Sequence, residues 1–144
     1  MKLFTLLFLS ISLIYGAYID EFASNAGYLR DYNASIELAK KEHKLVMLVV
    51  VADFCPWCKK LERKTLLHED VAKKVEENCV GVVFDKNWDD GNFPKKFSSA
   101  TIPSIYFINP ENQKEIYQLS SYINHKKFSD LMDEALKIFR ETKK

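Results

Sequence analysis

Ala52-Asp53-Phe54-Cys55-Pro56-Trp57-Cys58-Lys59 is the stretch on which the reading of this chain turns. Immediately before it runs Leu45-Val-Met-Leu-Val-Val-Val-Ala52, eight apolar residues rich in β-branched side chains. Such a run fits a central strand covered on both faces, because neither set of alternate side chains is polar. After it, Cys58, Leu61, Thr65 and Leu66 mark one face of a helix, and Lys59, Lys60, Arg63 and Lys64 the other. The two cysteines therefore stand at a strand-to-helix junction.

Cysteines three apart on a helix lie side by side, within reach of a disulfide after slight adjustment. The loop so closed is tiny. A disulfide stabilises chiefly by closing long loops, so this pair is a poor structural bridge. Pro56 suits the first helical position, since it has no N–H to lose there. A thiolate on Cys55 would face unpaired backbone N–H groups and the positive helix end, which favours the charged, attacking form. Cys58, one turn on, is placed to resolve a mixed disulfide. A CxxC is also half of a zinc site, and a metal-binding reading stays open on that ground. Completing a tetrahedral site calls for a second pair, yet only Cys79, His43, His68 and His125 remain, in no paired spacing.

The rest of the 144 residues supports one globular domain: 47% hydrophobic, 28% charged, with few Gly and Pro and no repeat. Met1-Lys2, the apolar Leu3 to Tyr15, and small Gly16-Ala17 make the three-part layout of a secretory signal over residues 1–17, leaving 18–144 as the domain. The apolar stretch falls short of the roughly 20 residues needed to span a bilayer, so an uncleaved anchor is the weaker alternative. Loss of Lys2 takes the formal charge from +1 to 0. A neutral domain has no general attraction for nucleic acid or anionic membrane.

Downstream, Asn33 reads as the N-cap of a helix over 34–41 with Ile36, Leu38 and Ala39 as apolar contacts, and 69–77 as another helix. Strands are expected at 80–84, 104–108 and 116–119. Asn109-Pro-Glu-Asn112 forms a turn between the last two, and a terminal amphipathic helix starts near His125. Residues 93–97 read as a helical turn. Tyr106 and Phe107 are expected to face opposite layers, Cys79 to be a buried structural thiol, and the three histidines to lie at the surface. The first two strands, joined through helices, should be parallel, and the final hairpin antiparallel. The sum is an α/β three-layer fold with a mixed sheet of four to five strands and helices on both faces.

The octapeptide, its preceding apolar strand, and Ile102-Pro103 before another strand resemble the thioredoxin superfamily. The longer pattern Ala52-Asp53-Phe54-Cys55-x-x-Cys58-Lys59-x-Leu61-Glu62-x-x-Thr65 resembles the periplasmic domain of thiol:disulfide interchange proteins and related exported single-domain thioredoxins. The resemblance implies a thiol–disulfide oxidoreductase without a cofactor, with Cys55 as nucleophile and Cys58 as resolving thiol. It implies a cis bond at Pro103 beside the cysteines, and a substrate surface made of Pro56, Trp57, Ile102 and Pro103. It also marks a departure. Thioredoxins carry a buried carboxylate six residues before the first cysteine, where this chain has Val49. Glu62, four residues after Cys58 and on its face, is the candidate proton acceptor in its place. Trp57, where strong oxidases of the superfamily carry His, and Ile102 before the proline both point to a reductant.

The expected partners are disulfide-bearing exported proteins, apocytochrome c among them, and a membrane-bound dithiol donor. The protein is expected to act as a monomer in the periplasm. Two other readings remain: an oxidase or isomerase on the same fold, and a module that delivers metal or haem through the CxxC pair.

Overall fold

A computed structural model describes residues 18–98 and 101–143. The apolar run forms β1 (Leu45–Val51), buried along its whole length. It pairs in parallel with β2 (Cys79–Asp85), Leu45 opposite Cys79 and Val51 opposite Asp85. On its other edge it pairs antiparallel with β3 (Ser104–Asn109), which pairs antiparallel with β4 (Lys114–Ser120). The strand order is β2-β1-β3-β4. Beyond β2, Leu29 adds a single parallel bridge to Val82, a rudimentary fifth position at that edge.

The period of two along β1 divides the core. Leu45, Met47, Val49 and Val51 face one side, with Leu61, Phe107, Phe128, Met132 and Leu136. Val46, Leu48 and Val50 face the other, with Ile36, Phe84, Phe97 and Tyr106. That two-sided burial is why β1 carries no polar residue. Tyr106 and Phe107 go to opposite layers.

One layer is α2 (Tyr32–Glu42), with the short 3-10 turn Lys95–Phe97. The other contains α3 (Pro56–Leu61), α4 (Glu69–Asn78) and α5 (His125–Glu141). A helix over residues 18–26, here α1, joins this second layer by burying Ile19, Phe22 and Ala23. This helix is not among the elements expected from the sequence.

Three local expectations are corrected. The cap of α2 is Asp31, whose Oδ1 accepts the Ala34 N–H at 2.9 Å, so the helix starts two residues before Asn33 allows. Leu38 faces outward on that helix. The helix after the cysteines is not uniform: from Glu62 to Leu66 it is a π turn, in which the Leu67 N–H donates to the Glu62 carbonyl at 2.9 Å. The expectation for residues 1–17 lies outside the described residues.

Candidate redox site

The site is built where β1 runs out. The Lys86 N–H donates to the Val51 carbonyl at 2.8 Å, holding the ends of β1 and β2 together. One residue back, buried Asp85 accepts the Asp53 N–H through Oδ2 at 2.9 Å, and the Asn87 and Trp88 N–H groups through Oδ1. A single carboxylate thus clamps both loops at this end of the sheet. Between the clamp and α3, Phe54 has φ +56° and is 89% exposed. An apolar side chain in the left-handed region, turned into solvent, is held by its neighbours rather than by its own preference.

Cys55 is the N-cap of α3 in extended conformation, and Pro56 occupies the first turn. The Cys55 Sγ accepts the Cys58 N–H at 3.2 Å, so a helix-terminal donor points at the sulfur as expected of an attacking thiol. Cys55 and Cys58 are joined as a disulfide, with Cα atoms 5.2 Å apart. Their burial is unequal: Cys58 is fully buried and Cys55 is partly exposed. Only Cys55 is open to attack by, or on, a macromolecule.

Around Cys55 the structure gathers the rest of the expected surface. Trp57 is 56% exposed. The Ile102–Pro103 peptide bond is cis. Trp57, Ile102 and Pro103, with Ser121 and Tyr122, line a cleft of about 280 Å³. Two of the residues that shape this surface were not singled out from the sequence. Tyr122 tilts against Trp57 with ring centroids 5.7 Å apart, and the Lys60 ammonium lies 5.0 Å from the Trp57 ring and 4.5 Å from the Tyr122 ring. Lys60 follows Trp57 by three residues on a helix, a legible neighbour. Tyr122 arrives from a distant loop and left no local signal.

Glu62 lies away from that cleft. It is one turn on from Cys58, and its N–H donates to the Cys58 carbonyl. Its carboxyl is buried, at 2% exposure. Oε2 is 3.4 Å from the Lys59 Nζ, and Oε1 is buried with no hydrogen-bond partner among the described residues. Burial pushes this carboxyl above the usual range, Lys59 and Arg63 pull it back, and the charge of Asp53 adds to the rise. Glu62 is therefore no surface group, although Lys59 stands beside it. Val49, the position of the usual carboxylate, is wholly buried hydrocarbon on the same side of the sheet as Cys58.

A raised carboxyl has a consequence for stability. Burial favours neutral Glu62, so its contribution is fully present below the unfolded value near 4.3 and is lost as pH rises through the higher folded value. Glu62→Gln stays neutral. The variant should match the wild type in urea midpoint at pH 4 and exceed it at pH 8. A gap that shrinks with rising pH would contradict this assignment.

The remaining expected residues fall elsewhere. Cys79 opens β2 and is buried, its thiol pushed up to about 12 by desolvation, which makes it inert at neutral pH. The three histidines are not all surface groups: His68 is half-buried and stacks on His125, ring centroids 3.8 Å apart and planes 4° from parallel. Two helix starts, at α4 and α5, bring them together across 57 residues of chain. Among the described residues no cluster of three or more His, Cys, Asp or Glu could hold a metal ion.

A mixed sheet with a CxxC disulfide at the first turn of the helix after its central strand defines a thiol–disulfide oxidoreductase of thioredoxin-like fold. The chain belongs to the thioredoxin-like domain family, whose model matches residues 32–136. Among solved structures it is similar to a DsbH oxidoreductase (19% identity, 76% of this chain and 85% of that one, TM-score 0.60). It is also similar to a thioredoxin from Thermus thermophilus (19%, 80% and 85%, 0.61). A third is the oxidised DsbD C-terminal domain of Neisseria meningitidis (19%, 75% and 98%, 0.57). At such identity these likenesses concern the fold. No curated protein matches the sequence.

Proposed function

We infer that this protein reduces disulfides in other exported proteins. The observation that carries the reading is the unequal burial of the two cysteines, Cys55 partly exposed and Cys58 sealed behind it with buried Glu62 one turn on. Cys55 thiolate attacks a substrate disulfide and forms a mixed disulfide, releasing one substrate thiol. Glu62 takes the proton of Cys58. The Cys58 thiolate then attacks Cys55, closing the Cys55–Cys58 disulfide and releasing the second substrate thiol. Two electrons pass from the protein dithiol to the substrate disulfide, and a membrane-bound dithiol donor restores the reduced pair.

Electrostatics supports the reducing direction. A dithiol protein is a strong oxidant when its reduced, thiolate form is stabilised. Here position 57 carries an indole rather than a basic group, and the group one turn on from Cys58 is the buried carboxyl of Glu62 rather than a cation, so neither position supplies a positive charge to favour a thiolate. Pro56, Trp57, Ile102 and cis Pro103 form the substrate surface, where an extended segment lies along the cleft. The pattern over residues 1–17 supports export to the periplasm with cleavage near Gly16 or Ala17, leaving a monomeric domain over 18–144. Among the described residues no helix is long and apolar enough to cross a membrane. Apocytochrome c is one substrate that fits.

The test is twofold. The protein should catalyse insulin reduction by dithiothreitol, and its reduction potential should lie near that of thioredoxin, about −270 mV. A potential near about −120 mV would reverse the direction to oxidation. Absence of turnover together with stoichiometric metal after purification would favour a delivery module instead.

A further inference from the structure

The Glu62 side chain is one wall of a second cavity, about 180 Å³, that shares no lining residue with the cleft at Trp57. Its other walls come mainly from α1: Tyr18, Glu21, Phe22 and Asn25, closed by Arg63 beside Glu62 itself. Tyr18 sits over the Lys59 ammonium, ring centroid to Nζ 3.5 Å, and Lys59 reaches Glu62. The helix changes from α to π at Glu62, the very residue that lines this cavity. π turns of this kind recur at functional sites.

We propose that this α1 cavity is a water-filled proton outlet, through which the proton Glu62 takes from Cys58 reaches solvent while a substrate covers the Cys55 surface. The volume suits several waters, each of which occupies about 30 Å³ in the liquid. Polar partners for them come from Glu21, Asn25 and Arg63, and from Glu62 Oε1, the buried carboxylate oxygen that has no hydrogen-bond partner among the described residues. The need is concrete. When Cys55 is tied in a mixed disulfide, the substrate lies across Trp57, Ile102 and Pro103. A proton left on Glu62 would then hold the carboxyl neutral and unable to serve a further turnover. A path under α1 stays open with the substrate in place. Glu62–COOH gives its proton to cavity water and returns to carboxylate, and no other bond changes.

The groups that face Glu62 are Lys59 and Arg63 on its own helical segment, Asp53 on the loop before it, and Tyr18 and Glu21 on α1. The inference rests on Glu62 as the proton acceptor. That role fails separately, if Glu62→Gln leaves the rate of mixed-disulfide resolution and its pH dependence unchanged.

Two substitutions on α1 should act in opposite directions. Asn25 is exposed at the rim, so Asn25→Phe fills the cavity without disturbing the core. Tyr18→Ala opens it. The Glu62 carboxyl is followed by carbon-13 NMR in the disulfide form, its resonance assigned by its loss in Glu62→Gln. Driving water out should raise its titration midpoint by about one pH unit in Asn25→Phe, and admitting water should lower it in Tyr18→Ala. In stopped-flow experiments Asn25→Phe should slow resolution about fivefold, and should add nothing in a Glu62→Gln background. Midpoints that stay fixed, or that move the same way in both variants, would overturn the proposal, as would a slowing that persists without Glu62.

Discussion

Cys58→Ala is expected to abolish turnover and to leave Cys55 covalently joined to its substrates. The nucleophile survives in this variant: Cys55 keeps its place as N-cap of α3, still partly exposed, and can open a substrate disulfide. What is lost is the internal thiol that closes the cycle, so the mixed disulfide persists. Multiple-turnover insulin reduction should drop by at least about ten-thousandfold, the order of loss seen when one member of a catalytic unit is removed. Cys55→Ala should lose turnover equally but trap nothing, because the remaining thiol is fully buried. Non-reducing gels followed by mass spectrometry of the complexes distinguish the two variants. Equal trapping by both would mean that burial does not assign the roles of the two cysteines. The absence of any complex in the exported fraction would sink the substrate class inferred for the protein.

What could be seen in the sequence divides along a physical line. The redox pair and β1 were legible because their signals are local: a cysteine spacing with Pro at the first helical position, and eight consecutive apolar residues. The parallel pairing of β1 and β2 and the antiparallel hairpin followed from connection length alone. The cap of α2 was missed by two residues because Asp31 and Asn33 are both competent caps, and only the bond from the Ala34 N–H decides between them. In α1 the signal exists: Ile19, Phe22, Ala23 and Ala26 recur at helical spacing, but the apolar sequence of residues 3–15 runs almost directly into it and blurs where the period begins. The π turn at Glu62 is a different case. Hydrogen bonds reaching five residues back instead of four separate it from an α-helix, and no side-chain pattern records that difference. Glu62 could therefore be nominated from its spacing to Cys58, but not its cavity, since the walls come from α1. Tyr122 beside Trp57 and the stacked His68 and His125 are products of tertiary folding, and periodicity carries no trace of them.

The largest expected loss of stability comes from the smallest added group, at Gly81→Ala. Gly81 lies within β2, where a glycine is ordinarily a weakness and replacement by Ala is worth about 0.5–1 kcal/mol in favour of the fold. Here one edge of the Tyr28 ring lies against it. A Cβ on residue 81 would meet the Tyr28 Cε1 at 2.7 Å and Cγ at 2.8 Å, with Cδ1 closer still. The ring cannot simply swing aside. It is buried, packs edge-on against Phe22 of α1 with centroids 5.6 Å apart, and precedes Leu29, whose N–H donates to the Gly81 carbonyl at 2.8 Å. Displacing it strips the cover from the β2 edge and loosens α1. Overpacking of this kind typically costs about 1–3 kcal/mol. With the edge bond strained as well, the upper end of that range should win over the gain from removing a glycine, for a net loss of about 2 kcal/mol. Tyr28→Phe serves as the control. The Tyr28 hydroxyl is buried with no hydrogen-bond partner among the described residues, so deleting it should leave stability unchanged or raise it by about 1 kcal/mol. Tyr28→Ala, costly by itself, should remove most of the penalty of Gly81→Ala when the two are combined. Urea denaturation of the four variants closes the cycle. Additive losses from Gly81→Ala and Tyr28→Ala would show that the ring is not what makes Gly81 necessary.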